Sequence, residues 1–264
     1  MSAAALMDVV KGLASPYGLE RSAKITAEAL LEDRFLVSLH RSAFGAVAGP
    51  GMVQVARKLG APDSFLRPIA EAEAEADIVH LGYEGGRHAT YKLYLEYAAR
   101  VRRAQAQNAD APVLVHLAFK WMPALAGQQA VTRYTWLPAR SRAAMADSLR
   151  ATLTADAPRA LSCTLELLAR ACARIEVDKL FLMRVEEPGN ARRSCDLNLY
   201  QADLCLRDMA DLLTVLGDEF AIPRHQIKAL LDRCGALALG HIAGGRGRDG
   251  AEFVTIYYGV EAHG

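Results

Sequence analysis

Residues able to hold and position a small charged molecule recur at two-residue spacing in this chain. In Thr90-Tyr91-Lys92-Leu93-Tyr94-Leu95-Glu96, the side chains of Thr90, Lys92, Tyr94 and Glu96 alternate with those of Tyr91, Leu93 and Leu95. In Ser194-Cys195-Asp196-Leu197-Asn198-Leu199-Tyr200, Ser194, Asp196, Asn198 and Tyr200 alternate with Cys195, Leu197 and Leu199. Side chains alternate across a strand, so each segment read as a strand has one polar face and one apolar face. The polar faces line a lumen and bind an anionic ligand, or they face water across an open sheet. Lys120 and Arg184 stand inside otherwise apolar strand patterns and either reach a cavity or snorkel from a strand end. His80, His116 and His241 fall on the face assigned inward, where they could meet at a metal or one could act as a base. No ligand spacing such as H-E-x-x-H accompanies them, so neither a metal nor another cofactor is expected. Tyr134 and Trp136 read equally as lumen aromatics or as core. Gly245-Arg246-Gly247-Arg248-Asp249-Gly250 formally satisfies G-x-G-x-x-G, but a strand pattern, Phe253–Tyr258 in sequence, follows it where a dinucleotide fingerprint needs a helix. A hairpin loop is expected there, with Arg246 and Arg248 free to close over a phosphate.

Composition narrows the class. The chain has 264 residues, 52% hydrophobic and 23% charged, enough for a core that needs no staples. Its net charge is +1 and its basic residues are dispersed, which argues against a nucleic-acid partner. No run of about 18 apolar residues indicates a membrane span, and the first twelve residues lack the pattern of a signal peptide, so a cytoplasmic location is expected. Cys163, Cys172, Cys195, Cys205 and Cys234 are odd in number and never form C-x-x-C, and read as small buried hydrophobes.

The elements that must carry these residues come in hairpins. Alternating segments at 77–83 and 89–97, 113–121 and 130–137, 180–186 and 194–202, and 236–243 and 252–259 are paired across turn-forming residues. Helical stretches separate them: 98–106, 143–153, 158–173, one capped by Asp203 and ending at Gly217, and one opened by Pro223 and stopped by Gly235. Residues 1–76 are Ala-rich, broken at Ser15-Pro16, Gly49-Pro50-Gly51 and Ala61-Pro62, and read as a helical lead-in, with 70–76 as the end of a helix. The expectation is an α+β protein. Its domain at 77–264 is an antiparallel barrel or strongly curved sheet of about eight strands ringed by helices, the apolar strand faces beneath the helices.

Val177-Asp178-Lys179-Leu180 leading through a hairpin into Cys195–Tyr200, followed by Ile222-Pro223 and the last hairpin, resembles the aromatic prenyltransferases of the ABBA (αββα) barrel type. Gly86–Thr90 and Tyr134–Pro138 resemble the corresponding strands. The resemblance covers residues 77–260 and leaves the family's fifth unit without a counterpart: the barrel is smaller, the N-terminal segment fills the gap, or the chemistry has been abandoned. It implies a metal-independent transfer joining an allylic diphosphate to an aromatic acceptor. Lys92, Lys120, Arg184 and Asn198, with Arg246 and Arg248, would hold the diphosphate. Tyr94, Tyr134, Trp136, Tyr200 and Tyr257, with Thr132 and Asp196, would line the prenyl and acceptor sites. His80, His241 and Glu96 would move protons. Thr132 and Phe253 stand where the family carries basic side chains. A binding protein without chemistry, or a cyclisation or condensation using a histidine base, is the alternative.

Overall fold

The computed structural model describes residues 2–45, 51–153 and 156–264; Gly49 and Pro50 of the expected break lie outside the described residues. Four hairpins occupy the segments that alternation predicts: β4 (Ile78–Glu84) with β5 (Thr90–Glu96), β6 (Val113–Trp121) with β7 (Gln129–Trp136), β8 (Phe181–Glu186) with β9 (Arg193–Asn198), and β10 (Leu239–Arg246) with β11 (Glu252–His263). A fifth is formed by β1 (Tyr17–Thr26) and β3 (Arg34–His40), with the short β2 (Ala29–Leu31) folded against β1.

Every neighbouring pair is antiparallel, and β1 also pairs with β11, from Tyr17 opposite His263 to Ile25 opposite Val254. The sheet therefore closes into a barrel of ten strands, not eight, with β2 outside the ring. The two additional strands come from the segment read as helical lead-in, so the N-terminal region supplies the fifth unit and is part of the barrel. The alternation of Phe35, Val37 and Leu39 with Leu36 and Ser38 carried this signal.

Among the described residues, eight helices surround the ring. They are α1 (Ala3–Gly12), α2 (Met52–Lys58), α3 (Asp63–Ala72), α4 (Ala98–Ala106), α5 (Arg142–Thr152), α6 (Pro158–Cys172), α7 (Ala210–Glu219) and α8 (Arg224–Cys234). Apolar side chains on the outer strand faces fill two layers beneath them. Val37, Leu39, Val79, Leu81, Leu93 and Leu95 pack under Leu6, Val10, Val55 and Ile69 of α1–α3. Ile25, Leu182, Leu197, Ile242 and Ile256 pack under Leu149, Leu167, Leu213 and Leu230 of α5–α8. With one face of every strand committed to these layers, the alternate residues point into the barrel.

Two helix boundaries differ from the sequence reading. Asp203 does not cap a helix: it takes a left-handed conformation (φ 49°) between two 3-10 turns, and α7 begins at Ala210. Gly217 does not end α7 but lies inside it, where a Cβ would meet Ile227 Cγ1 of α8 at 2.8 Å. An exposed helical Gly→Ala change is normally favourable by about 1 kcal/mol. Gly217→Ala is expected instead to destabilise by about 1–3 kcal/mol through overpacking of the α7–α8 contact, read as a lower midpoint in urea.

Candidate active site

The ring encloses a cavity of about 540 Å³. Its solvent-exposed lining, including Arg102 and Gln105 of α4, Asp178, Lys179 and Gln201, lies at the end where helices link the hairpins, which is the mouth. The end carrying the hairpin turns is closed by charged side chains.

That floor has two layers. Arg34 Nη2 lies 2.6 Å from Glu84 Oε1, and Lys92 Nζ donates to the same carboxylate. Gly82, opposite Lys92 in the β4–β5 register, leaves room for this pairing. Below them Glu187, with a fully buried side chain, accepts from Thr132 Oγ1 (2.7 Å), Arg192 Nη1 (2.9 Å) and Arg248, with Lys120 Nζ at 3.5 Å. Burial alone would raise the Glu84 and Glu187 carboxyls, but the cations around them hold both well below the carboxylate range. The same burial lowers Lys92 to about 8 despite Glu84, and lowers Lys120 strongly, with Arg192 and Lys92 adding repulsion. Lys24, lowered by burial, joins the group. Six basic side chains, Lys24, Arg34, Lys92, Lys120, Arg192 and Arg248, thus gather around two carboxylates, with Lys120 pushed towards its neutral form.

Aromatic rings stand directly above. Tyr94 and Tyr134 meet at 5.7 Å between ring centroids, Lys120 Nζ lies 5.7 Å from the Tyr134 ring, and Tyr257 stacks on His241 at 3.8 Å. Burial raises the phenols: Tyr134 to about 12, Tyr94 and Tyr257 further from their ordinary values, so all three stay neutral.

Carboxylates and histidines occupy the mouth side in two groups. His241 donates from Nδ1 to Asp196 Oδ1 (2.8 Å) and from Nε2 to Glu20 Oε2 (3.3 Å), while Tyr200 Oη donates to Glu20 Oε1 (2.5 Å). Burial opposes charge on His241, but the two carboxylates outweigh it and raise the imidazole to about 10. With a carboxylate at each ring nitrogen, His241 is drawn towards its protonated, charge-balancing form. Gly240 makes this contact possible, since a Cβ there would meet Glu20 Oε1 at 2.3 Å and the Tyr200 ring at 2.6 Å. In the second group His80 Nε2 lies 2.8 Å from Glu96 Oε2, His80 Nδ1 lies 2.7 Å from Ser38 Oγ, and His116 adjoins His80 at 5.5 Å between ring centroids. Burial lowers His116 to about 3, so it is neutral. Burial also opposes charge on Glu96, but the hydrogen bond from His80 holds it at about 2.

Most sequence candidates thus share the lumen: Lys92, Lys120, Thr132, Tyr94, Tyr134, Asp196, Asn198, Tyr257, His80, His241 and Glu96. Others do not behave as expected. Arg184 pairs in register with Cys195 on the outer face and lies 3.0 Å from Glu186 Oε2, away from the cavity. Arg246 is tied to Gly250 O and Asp156 at the turn end, and Arg248 is taken up by Glu187. Tyr200 sits in a 3-10 turn after β9, not on the strand, and swings to the rim. Trp136 is on the inward face but stacks flat on Phe181 at 5.5 Å. Glu20, Ser22, Lys24, Arg34 and Ser38 were hidden because they ride on β1 and β3, and Glu84, Glu187 and Arg192 because they flank hairpin turns.

A closed αββα barrel with a polar lumen is the ABBA architecture. No protein-family model matches the chain, and no curated protein matches it in sequence. Solved structures do. 6-Dimethylallyltryptophan synthase from Micromonospora olivasterospora, in complex with DMASPP and Trp, aligns with a TM-score of 0.56 at 14% identity, over 91% of this chain and 81% of that one. AnaPT from Neosartorya fischeri aligns at 0.54 and 14% identity, over 91% and 77%. 5-Dimethylallyltryptophan synthase from Streptomyces coelicolor aligns at 0.51 and 17%, over 91% and 80%. The chain has the fold of the ABBA-type aromatic prenyltransferases.

His241 is expected to make stability pH-dependent. A folded-state value of about 10 against an ordinary 6.5 gives a contribution fully present below pH 6.5 and lost as pH rises towards 10. His241→Ala, which strips the cation from between Glu20 and Asp196, is expected to cost roughly 3 kcal/mol at pH 6.5. The gap between wild type and variant in urea unfolding should narrow as the pH is raised from 6.5 to 10.

Proposed function

We propose that the protein transfers an allylic group from its diphosphate to an aromatic acceptor inside the lumen. The observation that carries this reading is the stacking order of the cavity: a floor with excess positive charge, neutral electron-rich rings immediately above it, and carboxylates beyond them. The electron pair of the breaking C–O bond leaves with the diphosphate oxygen, whose charge fixed cations must stabilise, and the allylic cation needs aromatic faces that stabilise it without capturing it. Arg34 and Lys92, lining the cavity, and Lys24, Lys120 and Arg192 behind them, would hold the diphosphate. Tyr94, Tyr134 and Tyr257 would shield the cation. Asn198, on the cavity wall, would contact the acceptor.

Thr132 and Phe253 stand where the family resemblance calls for basic side chains, and neighbours supply the charge at both. Lys120 shares the Glu187 carboxylate with Thr132, while Lys24 Nζ lies 4.7 Å and the Arg192 guanidinium 5.7 Å from the Phe253 ring.

When the acceptor ring carbon attacks, the new C–C bond leaves an arenium ion that must lose a proton. The carboxylates around His241 line the lumen beside the acceptor space, and the His241 imidazole between them balances their charge. Glu20 and Asp196, which line the cavity, are the acceptors we assign. The acceptor class matches the ligands bound in the structural neighbours, tryptophan in the Micromonospora enzyme and brevianamide F, with DMSPP, in NotF. A cytoplasmic site of action belongs to the same proposal.

Inorganic diphosphate and a non-hydrolysable allylic thiodiphosphate should bind the purified chain, measured by titration calorimetry. Affinity should fall as the pH rises through about 8, where Lys92 loses its proton. Arg34→Ala or Lys92→Ala should weaken binding by about 10–100-fold. With dimethylallyl diphosphate and a panel of indoles and phenols, prenylated product is expected. Binding without product across the panel would leave a ligand-binding protein, and no binding would overturn the reading.

A further inference from the structure

Glu96, His80 and His116 form a second centre, on the mouth side of the lumen, that the transfer reading leaves unused. They stand on neighbouring strands: Glu96 pairs with His116 across β5 and β6, and His80 pairs with Tyr94 across β4 and β5. One carboxylate oxygen and one nitrogen from each ring all lie within 4.8 Å of one another. His116 Nδ1 is buried and has no hydrogen-bond partner among the described residues. A buried polar atom left unpaired is costly and rare in folded proteins, and an orphaned imidazole nitrogen beside a histidine–carboxylate pair has a lone pair to offer a metal ion in the tautomer that leaves it unprotonated.

We propose that Glu96, His80 and His116 bind one divalent transition-metal ion of the zinc class, with an open coordination position facing the lumen. Two imidazoles and one carboxylate suit Zn²⁺ and its borderline neighbours, whereas Mg²⁺ favours an all-oxygen shell. Three protein ligands leave a place for water or for an oxygen of a small molecule in the cavity. On binding, His80 Nε2 gives up its hydrogen bond to Glu96 and turns its lone pair to the ion, while Nδ1–H donates to Ser38 Oγ. Ser38 thereby fixes the tautomer and the ring plane of His80. The Tyr94 and Tyr134 rings stand edge-on to His116 at 6.4 and 5.5 Å and fix its plane in turn. Competing charges are committed elsewhere: the Arg102 guanidinium lies 3.9 Å from Asp77, and His241 is held by Asp196 and Glu20. The centre stands whether or not the lumen transfers prenyl groups.

Calorimetric titration of the full chain with Zn²⁺, together with the visible absorption of the Co²⁺ form, tests the centre directly. One ion per chain is expected, with no competition from Mg²⁺. Ser38→Ala should weaken binding by about 10-fold, and His116→Ala or Glu96→Gln by about 100-fold or more. His225→Ala, at an exposed position on α8, should leave it unchanged. Circular dichroism checks folding, and His116→Gln and His80→Gln replace any variant that fails to fold. No binding by the wild type, or binding of equal affinity in folded His116, His80 and Glu96 variants, would overturn the proposal.

Discussion

β1 is hydrogen-bonded along both edges, to β3 on one side and β11 on the other. Without that double pairing the outer strands of the sheet would expose unpaired amides and carbonyls, and the inward side chains would face water. With it, the alternate faces of ten strands share one enclosed space. Glu20 and Ser22 on β1 and Arg34 on β3 then come within reach of Tyr200, His241 and Glu84 from distant parts of the chain. The Glu20 grouping with Tyr200 and His241 depends on that closure, whereas Arg34–Glu84–Lys92 and Glu96–His80–His116 stand on strands that already neighbour one another in the sheet.

Closure also makes charge expensive, and the lumen shows how the expense is offset. Glu84 and Glu187 stay ionised only because cations surround them, while Lys92 and Lys120 are pushed towards neutrality by the same desolvation. A pocket in which positive charge outnumbers negative and cannot rehydrate is predisposed to take up an anion. At the other end the balance is reversed: Glu20, Asp196 and Glu96 gather around His241 and His80. The cavity therefore has an electrical axis, cationic at the hairpin turns and carboxylate-rich towards the mouth, with neutral phenols between.

The helices read correctly from sequence are those whose punctuation is local. Pro223 and Gly235 bound α8, and α4 spans the predicted 98–106. Gly217 misleads because glycine serves two needs: it can end a helix, and it can let two helices touch, as Ile227 shows here. β1 was obscured by Glu20, Arg21 and Lys24, residues with weak strand preference whose place in the sheet is decided by pairing and not by propensity. Arg184 was misplaced for a related reason. A charged residue in an apolar strand is the same signal on either face, and only the register with Cys195 puts it outside.

By itself the sequence determined the four later hairpins, the helices between them, and which residues of Thr90–Glu96 share a polar face, because these follow from spacing along one segment. It also carried the family likeness. Only the tertiary structure decided that the ring closes through the N-terminal hairpin, that His241 is held between two carboxylates, and that His116 is left with an unpartnered nitrogen beside His80 and Glu96. Those outcomes depend on which strands meet, and on how burial and neighbouring charge act on a side chain once water is excluded, and neither is written in any local stretch of residues.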